Sequence, residues 1–446
     1  MKSITYTILI MNLLLWCSCS SEEAMEEMEV KTVQASFEYS ISDTDPEVIL
    51  LDNTTMGQSA FTSEWDFGLG GSPVEDQPGL EEVRYENAGT YTVTLTVTNS
   101  AGSTTASKTV KVDQEGVCPD ENCVPGRNES LKRSAQGFSI GAAVQSRRLT
   151  GQYDKILRTN FNNITSEWEM KMNIMYPSQG GYNFSRADEI VNYALANDMN
   201  VHGHVLIWHS ATPNWVENFS GSDAEFESMV EDYIKTTVTR YKGKVRSWDV
   251  VNEAIQDGNY NLRNTIFRQR MGDDYVEKCY RWAREADPDV LLFYNDYSLV
   301  YDPGKRDAVF NLVDQLADEG LIDGVGAQLH ISFNSPRAGQ IQSVVDEAVS
   351  RGLLMHFSEI DIRVNPNNDI TMLTSQRADA QKAKYKEVTE IYNAIPEANK
   401  FALTVWGLKD DESWLLNFWG NPEWPLLFDQ DFQKKSSYYG VLEGLE

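Results

Sequence analysis

The 446 residues exceed the roughly 100–200 of one ordinary domain, so two or three domains are expected, or one small domain and one barrel. A net charge of −29 argues against a nucleic-acid partner, whose phosphates need Lys and Arg. It suits an exported protein acting on a neutral or basic polymer, although such a charge also serves plain solubility.

The chain opens with Lys2 and the apolar run Ile8–Trp16, which is of signal-peptide rather than membrane-spanning length. In Leu15-Trp16-Cys17-Ser18-Cys19-Ser20, Cys19 with small Ser18 before it is the better lipid acceptor, and Cys17 is its rival. Glu22, Glu23, Glu26, Glu27 and Glu29 follow, and this acidic stretch resembles the surface-export signal of some Gram-negative lipoproteins. Residues 1–19 are therefore read as a lipoprotein signal peptide and 20–30 as an acidic tether. The expectation is an exported protein, lipid-anchored at the outer membrane or cell surface of a Gram-negative bacterium.

Residues 31–113 read as all-β. Tyr91-Thr92-Val93-Thr94-Leu95-Thr96-Val97-Thr98 alternates with period two before a turn at Asn99-Ser100-Ala101-Gly102. Trp65-Asp66-Phe67-Gly68 and Asn87-Ala88-Gly89-Thr90-Tyr91 resemble the polycystic-kidney-disease (PKD) type of immunoglobulin-like sandwich, a spacer or weak polymer binder. Residues 114–130 form a linker in which Cys118 and Cys123 make a local disulfide plausible in an oxidising compartment. Cys279, in a helical stretch, reads as a buried small hydrophobe.

From 131 to 446 short apolar strands alternate with amphipathic helices, the pattern of a parallel sheet. The strand candidates are Phe138–Ala142, Asn162–Ser166, Asn200–Val205, Arg246–Val251, Val290–Tyr294, Gly324–Leu329, Leu354–Ile360 and Phe401–Trp406. Helices are read at Arg186–Ala196, Ala224–Tyr241, Asp273–Glu285, Lys305–Glu319, Ile341–Arg351 and Ser375–Ala394. Eight βα units predict an α/β TIM barrel, which carries its chemistry at the C-terminal ends of its strands.

Two of those ends carry a carboxylate, Glu253 after the fourth strand and Glu359 in the seventh. A carboxyl pair flanking one acetal carbon is what glycoside hydrolysis needs. Asn252 can hydrogen-bond a sugar 2-hydroxyl as an oxocarbenium ion develops. His330, closing the sixth strand, can bridge Glu359 and Asp361 and keep the nucleophile oriented and deprotonated. A rival reading takes His202-Gly203-His204, with His330 and Asp361, as zinc ligands of a metallohydrolase.

Thr165-Ser166-Glu167 with Lys171, Gly203–Ser210, Trp248–Ala254, Tyr294–Tyr297, Gln328–His330, Ser358–Ile362 and Val405–Gly407 with Trp414 occur in this order. Together they resemble glycoside hydrolase family 10, the retaining endo-β-1,4-xylanases. The resemblance implies Glu253 as acid/base and Glu359 as nucleophile, with no cofactor and no metal. It places His204, Trp208, Asn252, Gln328 and His330 around the cleaved sugar, with Trp406 and Trp414 walling the cleft. It gives Glu167 and Lys171 the next sugar away from the reducing end, and Asn295 and Tyr297 the leaving-group side. Trp168 and Ala211 stand where the family usually has Asn and Gln, which puts that second sugar's polar recognition in doubt. The expected partner is xylan and the expected state a monomer. The alternatives are a decorated xylan or other β-glycan as substrate, or a non-catalytic glycan-binding lipoprotein.

Overall fold

The computed structural model describes residues 5–7, 32–42, 47–56, 60–68, 71–73, 81–85, 89–113, 116–117 and 130–446. Two compact units emerge, residues 1–130 and 131–446. Cys17, Cys19, Cys118 and Cys123 lie outside the described residues, and Cys279 is buried as a free thiol.

The N-terminal unit is a two-sheet sandwich. One sheet pairs Phe37–Ile41, Val48–Asn53, Glu81–Tyr85 and Gly71–Pro73, all antiparallel. The other is dominated by the hairpin Gly89–Asn99 and Gly102–Asp113, flanked by Thr62–Asp66. The alternation expected of Tyr91–Thr98 points Val93, Leu95 and Val97 into the core and the threonines outward. Phe37 meets Trp65 edge to face at 4.9 Å in that core. Thr5–Thr7, inside the segment read as a signal peptide, lies antiparallel against Thr62–Glu64.

The second unit is the barrel. Its strands are β1 (Ser139–Val144), β2 (Asn163–Ser166), β3 (Asn200–Gly203), β4 (Ser247–Asn252), β5 (Leu291–Tyr297), β6 (Gly324–Gln328), β7 (Leu354–Arg363) and β8 (Lys400–Val405). Each pairs in parallel with the next, and β8 pairs with β1, closing the ring. Most of these strand residues are buried on both faces, which explains apolar runs rather than strict alternation. At Gly203 a side chain is excluded, because a Cβ would lie 2.2 Å from the buried indole of Trp248 on β4.

The six helices read from the sequence are present with ends shifted by a few residues. Two more complete the outer layer, Gly151–Asn160 and Ser436–Leu445. The final helix packs directly on Ser375–Asn393, where a Cβ at Gly440 would stand 2.3 Å from the carbonyl of Lys382. Tyr438 in that helix donates a 2.6 Å hydrogen bond to Asn160, tying the end of the barrel to its beginning. Among the described residues no helix is long and apolar enough to cross a membrane.

Candidate active site

Strand β4 delivers Asn252, and the chain then enters the left-handed region at Glu253, φ 57°. For a residue with a Cβ that conformation costs roughly 1–2 kcal/mol, so the surroundings must hold it. The Glu253 N–H donates to the carbonyl of Asn295 at 3.0 Å, and Arg263 Nε donates to the Glu253 carbonyl at 2.8 Å. The next N–H, of Ala254, donates to the Tyr294 hydroxyl at 2.9 Å. The carboxylate itself accepts from Trp208 Nε1 at 2.9 Å, Gln328 Nε2 at 3.1 Å and Asn252 Nδ2 at 3.2 Å. Four strand ends thus converge on Glu253.

Glu359 sits within β7 and is 5% exposed. Its Oε1 accepts from Asn295 Nδ2 at 2.7 Å, and its Oε2 lies 3.2 Å from His330 Nε2. Burial alone would raise its pKa, but His330, His204 and Asn295 outweigh that and hold it below the ordinary value. His330 makes the expected bridge, with Nδ1 2.8 Å from Asp361 Oδ2. Burial pulls the imidazole down, yet the charge of Asp361 and the hydrogen bonds to Asp361 and Glu359 push it up to about 10. His330 is therefore an imidazolium at neutral pH, donating from both nitrogens.

The remaining residues form walls around the pair. Trp414 Nε1 donates to Asp361 at 2.8 Å while its ring packs on His330 at 4.9 Å. Trp406 meets His204 edge to face at 5.4 Å. On the β2 side Glu167 accepts from Gln145 at 2.6 Å and from the Trp168 indole at 3.1 Å. The Lys171 ammonium stands 4.6 Å from the ring centres of both Trp168 and Trp208. Burial lowers its pKa, and the charges of Glu359, Glu167 and Glu253 oppose the shift. Lys171 therefore feels both members of the carboxylate pair. Trp168 leaves 49% of its surface exposed, whereas Ala211 is buried.

Two readings of the sequence are corrected here. Asn295 is expected on the leaving-group side, but it is completely buried. Its amide spans Glu359 and Asn252 Oδ1 (3.0 Å) while its oxygen accepts from Ser358 at 2.6 Å. No polar group is left over for sugar, so Asn295 is a support of Glu359. The His202-Gly203-His204 pair is not a chelate. His202 Nε2 and His204 Nδ1 both lie against one oxygen of buried Asp249, at 3.0 and 2.8 Å. Those two histidines hold the Asp249 pKa down against its burial, and His202 Nδ1 contacts Ser247 at 2.7 Å. Among the described residues no group of His, Cys, Asp and Glu is arranged to hold a metal ion.

Tyr297, two residues beyond Asn295, is half-buried rather than enclosed. Its hydroxyl donates to Asp257 and accepts from Arg263 Nη2 at 2.6 Å, with the Lys305 ammonium 3.2 Å from the ring centre. Asp249, Arg263 and Ser358 are functional supports that the sequence reading missed. For Asp249 a signal existed: an acidic residue inside a strand otherwise buried requires a partner, and two histidines stood on the preceding strand.

Comparison with known proteins agrees with this geometry. The family model "Glycosyl hydrolase family 10" matches residues 130–444, and "PKD domain" matches residues 48–112. Endo-1,4-beta-xylanase B of Paenibacillus barcinonensis is 36% identical over 320 residues, covering 69% of this chain and 96% of that protein. A beta-1,4-xylanase of Dictyoglomus thermophilum is 37% identical over 318 residues, covering 69% and 88%. Among solved structures, the P. barcinonensis xylanase complexed with a conduramine derivative has a TM-score of 0.67 at 35% identity, covering 71% of this chain and 98% of that one. Native xylanase 10B of Thermotoga maritima has a TM-score of 0.66 at 33% identity, covering 71% and 98%. With Glu253 just past the end of β4, Glu359 within β7 and a family match spanning the whole barrel, the chain belongs to glycosyl hydrolase family 10, with a PKD domain ahead of the catalytic barrel.

Proposed function

We propose that the protein is an endo-β-1,4-xylanase that cleaves xylan with retention of configuration. The observation that carries the roles is the unequal setting of the two carboxylates. Glu359 is buried and kept ionised by an imidazolium and an amide, the state a nucleophile needs. Glu253 is held instead by neutral donors from Trp208, Asn252 and Gln328 and makes no salt bridge among the described residues, so it is the less charge-fixed carboxyl of the pair and takes the acid/base role.

In the first step Glu359 attacks the anomeric carbon while Glu253 protonates the departing glycosidic oxygen, leaving a glycosyl ester on Glu359. In the second, Glu253 removes a proton from water, which attacks the same carbon and frees Glu359. Two inversions give net retention. In this reading Asn252 contacts the sugar 2-hydroxyl, and Trp406 and Trp414 stack on rings. The xylan substrate rests on the named activities of the relatives, which share the whole barrel.

The test separates the two glutamates. Glu359→Ala should abolish turnover on every substrate. Glu253→Ala should keep the first step on aryl glycosides with good leaving groups, and azide should rescue it with a β-configured product. An α-glycosyl azide would sink the retaining assignment.

The cellular setting is a separate proposal. Cys19 behind Ser18, with the acidic run after it, supports a lipid-anchored monomer displayed outside a Gram-negative cell on an acidic tether. The PKD domain would act there as a spacer or weak polymer binder.

A further inference from the structure

In the closed ring of eight strands, β2 and β6 lie opposite one another, so the β6 side faces Glu167 and Lys171 across the carboxylate pair. On that side a pocket of about 170 Å³ opens beside His330, with Tyr301, Ser332, Arg363, Trp414 and Trp419 around it. It is well below the roughly 300–1,000 Å³ of pockets that take whole small ligands, so it fits one sugar-sized group rather than a polymer.

Its one cationic group besides His330 is Arg363, at the end of β7 and opposite Ser332 in the strand register. The guanidinium stacks on the Trp419 ring, 4.4 Å from its centre, and Nε donates to Glu423 at 3.0 Å. Glu423 is fully enclosed, and its other oxygen accepts the N–H groups of Val364 and Asn365 at 3.0 and 3.1 Å. Arg363 is thus fixed by one edge and one face. Its two terminal nitrogens have no hydrogen-bond partner among the described residues, and Arg363 is one of the residues that wall the pocket. A guanidinium edge with two parallel N–H donors matches a carboxylate in a bidentate fork. Around it Trp419 is 49% exposed and Phe418 63% exposed, apolar faces of the kind that sugar rings cover.

We propose that this pocket binds a carboxylate-bearing side group of the xylan chain, a uronic acid, with Arg363 as the residue that selects it. The inference rests on the xylanase reading above. It also answers a difficulty: a protein of net charge −29 repels an acidic polymer, and a preorganised cation beside the cleft offsets that repulsion where the acid docks.

The test uses one uronate-substituted xylan in two forms, native and with its carboxyl groups reduced to alcohols, together with an unsubstituted linear xylan. The full chain is compared with Arg363→Met/Glu423→Gln, which removes both charges together and leaves no unpaired buried carboxylate. The wild type should lose about tenfold or more in kcat/KM when the carboxyl is reduced, as expected for a lost charge-assisted hydrogen bond. The double variant should lose a similar factor on the native polymer and nothing on the reduced or linear ones. Trp419→Ala should weaken both substituted polymers and spare the linear one. A wild type indifferent to carboxyl reduction overturns the proposal, as does a double variant that falls equally on all three substrates. If the wild type fails on linear xylan too, it is the xylanase reading that falls.

Discussion

Asn295→Ala removes the shorter of the two hydrogen bonds that Glu359 accepts, the 2.7 Å contact from Nδ2. A hydrogen bond to a charged group contributes about 1.5–3 kcal/mol, so losing this one should destabilise the ionised carboxylate by about that much and raise the Glu359 pKa. The direction follows from the structure. Burial pushes this carboxyl up, and Asn295 is one of the groups that hold it down. Since the folded pKa lies below the ordinary value, ionised Glu359 contributes stability above the carboxylate range and loses it as pH falls. Without Asn295 that contribution is smaller, and its loss is complete at a higher pH. The assay is the pH dependence of kcat/KM on an aryl xylobioside, alongside thermal unfolding at pH 4, 5 and 7, values at or just above the ordinary carboxylate range. The acid limb should move to higher pH, with a smaller loss at neutral pH, where His330 still holds the charge. If kcat/KM falls by one factor at every pH and the limb stays in place, Asn295 is only packing and the argument is wrong.

Asp361→Asn removes the charge that holds His330 up to about 10 against its burial. In the wild type the imidazolium's contribution is complete below 6.5 and is lost only as pH rises through about 10. In the variant the loss should come near or below neutrality, read from the His330 ring signals by NMR; a ring still protonated at pH 8, well above an ordinary histidine pKa, would contradict this. Trp168→Asn with Ala211→Gln should restore amide donors worth about 0.5–1.5 kcal/mol each, raising kcat/KM on xylotriose and lowering it on arabinose- or glucuronate-substituted xylan. Equal change on both would show that these positions do not set specificity. Cys19→Ala should release the protein from membranes while Cys17→Ala leaves it attached, and failure of labelled palmitate to enter the wild type would end the anchor proposal.

The barrel was legible because each of its strands is a short apolar run set between amphipathic helices. Ends were less so: the strand read as Val290–Tyr294 continues to Tyr297, because Asn295 and Asp296 are paired and buried despite their polarity. That same depth explains the misplacement of Asn295. Alternation puts Asn295 and Tyr297 on one face, yet two residues of rise, about 6.6 Å, separate the interior from the rim. Sequence gives the face and not the depth. The helix Ser436–Leu445 escaped for another reason. Two glycines and two serines make it a poor helix former alone, and it exists because Tyr438, Val441, Leu442 and Leu445 are buried against its neighbours. Trp168, which stands where the family usually has Asn, could not be placed from sequence as a sugar contact or as loop packing. Its indole N–H is anchored on Glu167 while half its surface stays open.

The bond from Tyr438 to Asn160 joins positions 278 residues apart. During synthesis, then, Asn160 of the first barrel helix waits 278 residues for its partner, and β1 waits nearly as long for β8. Until that point the nascent chain holds an open sheet with two bare edges, a state poorly able to lock shut. A ring that closes only once β8 has been made stays open while the seven strands before it are translated. For a protein proposed to thread through a membrane before it works, late closure means that the traveller need not first be unfolded.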